Sequence, residues 1–207
     1  MTTIYAATGN AGKLREFSES ASGDGVTVLP VPGLAGMPEP VEDASTFLGN
    51  AVLKAVAYSK LAPGLMVFAD DSGIEVDALG GEPGVRSARY AEDAGYGLGS
   101  GLSKDARNNA LLLERLNAAG SVPRSARFVC ALVLAKDGEV LLRAMGSCEG
   151  EILEAARGEG GFGYDPLFLL PELGLTAAEL SGDEKWRMSH RGNAFRSLLE
   201  QLKKIKV

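Results

Sequence analysis

Cysteine and histidine are scarce in this chain: Cys130, Cys148 and His190 are all there is of the two residue types in 207 residues. Two distant cysteines and one histidine cannot build a Cys- or His-rich zinc centre or a close redox pair. Any metal must therefore be held by oxygen. Basic residues are also short, 21 Lys and Arg against 27 Asp and Glu for a formal net charge of −6. That balance argues against sequence-independent binding to duplex nucleic acid, which depends on neutralising many phosphates. A free polyphosphate travelling with its own cation remains an acceptable ligand. No apolar run reaches the length of a membrane span, and the opening Met1-Thr2-Thr3-Ile4-Tyr5 has neither a basic region nor a long apolar stretch. The expectation is a cytoplasmic protein with no membrane partner. Linker-like stretches and repeats of fixed period are absent too. With 45% apolar and 23% charged residues, residues 1–207 are expected to form one ordered domain, with room for two closely joined lobes.

What is present alternates. Thr3 to Ala7 reads as a strand and Ala11 to Ser20 as a helix carrying Leu14 and Phe17. Val26 to Leu29 reads as a second strand. A helix is expected from Thr46, its N-cap, to about Lys60, with Pro63 beyond its end. The apolar run Leu65 to Ala69 reads as a buried strand ending in the turn residues Asp70-Asp71-Ser72-Gly73. Further on come a leucine-rich helix from Asp105 to Asn117 and an apolar strand from Arg127 to Lys136. Asp137-Gly138 is a hairpin signal into Glu139 to Ser147, and a closing helix runs from about Asn193 to Lys204. Strands alternating with helices early and a hairpin late predict an α/β fold, a mixed central β-sheet flanked by helices.

Four constellations carry chemistry. Thr8-Gly9-Asn10-Ala11-Gly12-Lys13 is a strand-to-helix turn whose backbone N–H groups and lysine suit phosphate. It is not a Walker A loop, because Ala7 stands at the first glycine position and Leu14 follows Lys13. Asp70 and Asp71 at a strand end suit Mg²⁺, with Glu42 from the preceding loop as a further ligand. The same aspartates also make ordinary turn chemistry, and Glu42 also reads as a solvated loop residue. Asn50 and Lys54 lie four apart and share a helix face. Finally, Phe162 in the turn Phe162-Gly163-Tyr164-Asp165 can stack on a nucleobase. Lys185, His190 and Arg191 supply donors for a purine carrying oxygen at C6. A serine hydrolase is a poor alternative: there is no Gly-x-Ser-x-Gly elbow, and Ser72 follows two acids.

Taken in order, these segments resemble the inosine triphosphate pyrophosphatase family, the dITP/XTP pyrophosphatases. The matching stretches are Thr8-Gly9-Asn10 to Lys13, Thr46-Phe47 with Asn50-Ala51 and Lys54-Ala55, and Ala69-Asp70-Asp71-Ser72-Gly73. Pro83-Gly84, Ser87-Ala88-Arg89-Tyr90, Gly160-Gly161-Phe162-Gly163-Tyr164-Asp165-Pro166, Thr176 to Leu180, Lys185 and Ser189-His190-Arg191-Gly192 follow. The resemblance implies an elongated two-lobed fold with a nucleotide cleft between lobes, usually as a homodimer. It implies Mg²⁺-dependent hydrolysis of ITP, dITP or XTP to the nucleoside monophosphate and pyrophosphate. Residues 8 to 13 would then hold the triphosphate, with Lys54 helping to balance its charge. Asp71 would be the general base and a metal ligand, with Ser72 beside the substrate. Phe162 to Asp165, Lys185, His190 and Arg191 would bind base and sugar. Two departures stand out: Val41-Glu42-Asp43-Ala44 replaces the family's acidic-plus-glycine pattern, and the loop from Gly95 to Lys104 is enlarged. The alternative from another class is a purine nucleotide sensor that does not hydrolyse.

Overall fold

A computed structural model describes residues 2–21 and 23–205. Its elements run β1 (Thr2–Ala6), α1 (Ala11–Ala21), β2 (Val26–Pro30), α2 (Phe47–Leu61), β3 (Met66–Val76), α3 (Tyr90–Asp93), α4 (Lys104–Ala118), β4 (Ser125–Lys136), β5 (Glu139–Ile152), β6 (Phe168–Leu170), β7 (Leu175–Thr176), α5 (Gly182–Met188) and α6 (His190–Leu202). The strands form one sheet in the order β2-β1-β3-β4-β5-β6-β7. β1 pairs parallel with β2 and β3, while β6 pairs antiparallel with β5 and β7. The sheet is mixed, as the order of elements predicts. Asp137 and Gly138 both adopt positive φ, 51° and 87°, as a tight hairpin between β4 and β5 requires.

Two compact units divide the chain: Met1–Asp71, Cys130–Gly146 and His190–Val207 make the first, Ser72–Val129 and Ser147–Ser189 the second. The first is centred on three fully buried phenylalanines, Phe17 of α1, Phe68 of β3 and Phe195 of α6. Their ring centroids lie 5.1, 4.8 and 5.8 Å apart pairwise. A separate cluster packs Tyr58 of α2 on Val67 of β3, with Val31 and Ala62. In the second unit Ile74, Val76, Leu111, Leu112, Leu116, Ile152, Leu167 and Phe168 are the main buried residues.

One sequence expectation needs correction. Asp70-Asp71-Ser72-Gly73 is not a turn at a strand end but lies in the middle of β3, an uninterrupted strand of 11 residues. Gly73 is not there for positive φ. A Cβ at that position would lie 2.3 Å from Ser87 Oγ, so the glycine admits the close approach of the 84–87 segment. Ser87 Oγ accepts from the Ile74 N–H and donates to the Gly84 carbonyl.

Candidate active site

Successive residues of a strand point to opposite faces, so Asp70 and Asp71 part company. On one face, Asp70 and Phe68 are two residues apart, a rise of about 6.6 Å, and a helix covers nearly that distance in four residues, about 6 Å. α1 supplies the match: Phe17 packs on Phe68 while Lys13, four residues earlier, places Nζ 2.7 Å from Asp70 Oδ2. α6 repeats it with Phe195 on Phe68 and Arg191, four residues earlier, acting on Asp70 through its charge. A hydrophobic layer thus fixes the register of a charged layer above it.

On the other face Asp71 meets α2. Asn50 Nδ2 donates to Asp71 Oδ2 at 3.1 Å, and Lys54 Nζ lies 3.4 Å from Asp71 Oδ1. Asn50 and Lys54 do share a helix face, as their spacing predicts. Lys54 Nζ is also 2.8 Å from Glu42 Oε2. The loop bearing Glu42 is held by the Ala44 N–H, which donates to Asn50 Oδ1 at 3.0 Å. Glu42 and Asp71 therefore share one cation, and Asp70 stands outside that pair.

The two aspartates titrate in opposite directions. Burial alone would raise Asp70, but the charges of Lys13 and Arg191 and the Lys13 hydrogen bond hold its carboxyl well below the usual range. Burial raises Asp71, outweighing Lys54 and the Asn50 bond, and the Glu42 charge adds to the rise. For Lys54, burial works to lower the pKa, yet Asp71 and the Glu42 hydrogen bond carry it above the ordinary lysine value. Adjacent carboxylates with opposed shifts are a mark of divided roles.

In the turn before α1, Asn10 Oδ1 accepts from the N–H groups of Gly12 and Lys13 at 2.9 and 3.1 Å, and the Asn10 N–H donates to Thr8 Oγ1 at 3.2 Å. Asn10 thus acts as the N-cap of α1. Gly9, Asn10, Ala11 and Gly12 are exposed, and Thr8 and Lys13 are half-buried. The two cysteine thiols are poor nucleophiles: burial pushes Cys130 far up and Cys148 up to about 11.

The second unit holds the other predicted residues. Asp165, buried, bonds through Oδ2 to Lys185 Nζ and accepts from the Phe162 N–H at 2.8 Å. Lys185 Nζ lies 5.2 Å from the centroid of the Phe162 ring, which is 53% exposed. Gly161 has φ 72°, and a Cβ there would sit 2.1 Å from Asp165 Oδ2. Only glycine fits. Tyr164 is buried and its hydroxyl donates to the Ser87 carbonyl at 2.9 Å. Ser72 begins this unit. His190 and Arg191 belong to the first unit instead, as the first residues of α6, and both are buried. Arg191 Nη1 lies 3.4 Å from Glu16 Oε2. Among the described residues, then, Lys13, Asp70 and Arg191 form one cluster, Glu42, Asn50, Lys54 and Asp71 a second, and Phe162, Asp165 and Lys185 a third. Sequence reasoning left Asp165 without a stated partner and missed Asn50 as the residue that holds Asp71.

The Ham1 family model matches residues 4–201. The chain belongs to the Ham1 family. It is 54% identical over 200 residues to a dITP/XTP pyrophosphatase of Acidobacterium capsulatum, covering 97% of this chain and 98% of the relative. It is 51% identical to the protein of that name from Thermus thermophilus, covering 97% and 91%. Among solved structures, a HAM1 protein from Coxiella burnetii matches with a TM-score of 0.85 at 38% identity, over 99% of this chain and 100% of that one. The Staphylococcus aureus Ham1 protein matches with a TM-score of 0.83 at 39% identity, with the same coverage. The mixed sheet flanked by helices is thus the Ham1 architecture.

Proposed function

We propose that this Ham1-family chain hydrolyses deaminated purine nucleoside triphosphates, ITP, dITP or XTP, to the monophosphate and pyrophosphate. The observation that carries the reading is the pairing of Glu42 and Asp71 about a single cation, with Asp71 fixed by Asn50. Oxygen-only donors that already share a positive charge suit Mg²⁺, so Glu42 and Asp71 would hold it. The ion would neutralise charge on the phosphate oxygens. Asp70, committed to Lys13, is left as counter-ion to that lysine and is not proposed as a ligand.

Asp71 serves as general base, taking a proton from the attacking water at its carboxylate. The assignment goes to Asp71 and not to Asp70 because Asp70 is engaged by Lys13, whereas Asp71 stands beside Glu42 across Lys54, where the ion would be held. Lys13 and the exposed loop before α1 bind the polyphosphate, and Lys54 balances charge as the bond between the α- and β-phosphates breaks. Phe162 offers a stacking face for the base. An ammonium has three donors; Lys185 gives one to Asp165 and retains others for a C6 oxygen, whereas the amino group of adenine would oppose them. The names of the relatives support this substrate class.

The test is to incubate the protein with ITP and Mg²⁺ and resolve the products by ³¹P NMR. IMP with pyrophosphate supports the reading. Orthophosphate would make the chain an ordinary phosphatase, and tight binding without turnover would make it a sensor. A panel of ITP, XTP, dITP, GTP and ATP then orders the substrates.

A further inference from the structure

The turn that presents Phe162 is gripped by a helix outside it. The Gly163 N–H donates to Asp105 Oδ2 at 2.8 Å, and the Gly163 carbonyl accepts from Asn109 Nδ2 at 3.0 Å. Asp105 and Asn109 are four residues apart on α4, so they stand one turn apart on the same face. Between them they take both backbone polar groups of a single residue. That residue has φ 61° and no side chain to pack, so hydrogen bonds are what fix its peptide planes.

Asp105 sits in the first turn of α4, where a carboxylate is favourable, yet its Oδ2 is turned onto Gly163. Capping of α4 falls to Ser103, whose Oγ accepts from the Ala106 N–H at 3.2 Å, which leaves the Asp105 carboxylate for the turn. Asn109 Oδ1 is buried with no hydrogen-bond partner among the described residues. An apolar side chain would avoid that burial cost; what the amide provides in return is its bond to Gly163. α4 itself is firmly seated. Leu111, Leu112 and Leu116 lie in the core, and Asn108 ties the helix to the Ala91 N–H and to the Ser87 and Ala88 carbonyls.

We propose that Asp105 and Asn109 are positioning residues which set the pose of the Phe162 ring and thereby the affinity for the purine base. The inference rests on the reading of Phe162 as the stacking platform. Steady-state kinetics with ITP on Asp105→Ala and Asn109→Leu, each made alone and together with Phe162→Ala, test both. Each single variant should raise KM by about 3- to 10-fold, the size of one lost hydrogen bond, with kcat within about twofold. Asp105→Asn keeps an acceptor oxygen and should behave as the parent. Asp105 is exposed, so its replacement leaves the fold intact, and thermal melts verify this. In the Phe162→Ala background the α4 substitutions should raise KM no further. If Phe162→Ala raises KM but the α4 variants do not, or if they raise it equally without Phe162, the positioning role is overturned alone. If Phe162→Ala itself leaves KM unmoved, the platform reading fails and takes this inference with it.

Discussion

Two aspartates that are neighbours in sequence live in opposite worlds in this protein. Asp70 faces α1 and α6, is paired with Lys13 and feels the charge of Arg191, and its carboxyl is held far down. Asp71 faces α2, shares Lys54 with Glu42, and has its carboxyl raised by burial. The lesson is that composition at a strand position decides little, and that the element covering each face decides a great deal. One carboxylate is spent on holding a cation in place. The other is left more basic, beside a second acid and the Lys54 ammonium that the two acids share.

The contrast can be broken by substitution, and the largest effect is expected at Asp71. Asp71→Asn should lower kcat with ITP by about 10²–10⁴-fold, the range for loss of a positioned base, while leaving the melting temperature nearly unchanged. An equal loss of stability would mean that Asp71 is structural. Removing divalent cations with a chelator should abolish turnover of the parent protein, and restoring Mg²⁺ should recover it. Turnover that persists in chelator would dissolve the proposed role of the Glu42 and Asp71 pair.

Asp70 should respond in the other currency. Asp70→Asn breaks a buried pair and should cost about 3 kcal/mol, or roughly 6–12 °C in Tm. Its pH signature sharpens the point. A folded carboxyl held below its unfolded value of about 3.9 contributes stability above that pH, and the contribution is lost as pH falls toward the folded value. The parent should therefore lose stability steeply below about pH 4, and Asp70→Asn should flatten that acid limb. Parallel acid limbs would show that the Lys13 pair adds nothing. Smallest is Phe162→Ala, expected to raise KM for ITP by an amount equivalent to about 1–3 kcal/mol of stacking, without altering the acid limb.

Much of the fold was legible from residue order. Alternating strands and helices gave the mixed sheet, Thr46 caps α2 through the Gly49 N–H as its position predicts, and Asp137-Gly138 makes the hairpin. Other features were misread for definable reasons. Asp, Ser and Gly favour turns, and that local preference hid the continuation of β3 through residues 70–76, where packing of Ser87 against Gly73 overrides it. α5 escaped notice although its capping box, Ser181 with Glu184, was written in the sequence. β6 and β7, of three and two residues, are too short to carry a period. For the site, the spacing of Asn50 and Lys54 was readable because it lies on one helix. The separation of Asp70 from Asp71 was not, because it depends on Lys13, Phe17, Arg191 and Phe195 arriving from elements distant in sequence.

The comparison of the two faces is settled most directly by measuring kcat for ITP and Tm side by side for Asp70→Asn and Asp71→Asn. The account predicts a crossed result: Asp71→Asn folds like the parent and loses turnover by at least about 10², and Asp70→Asn melts lower yet turns over faster than Asp71→Asn. Equal kcat in the two variants, or the larger loss of turnover at Asp70, would contradict it.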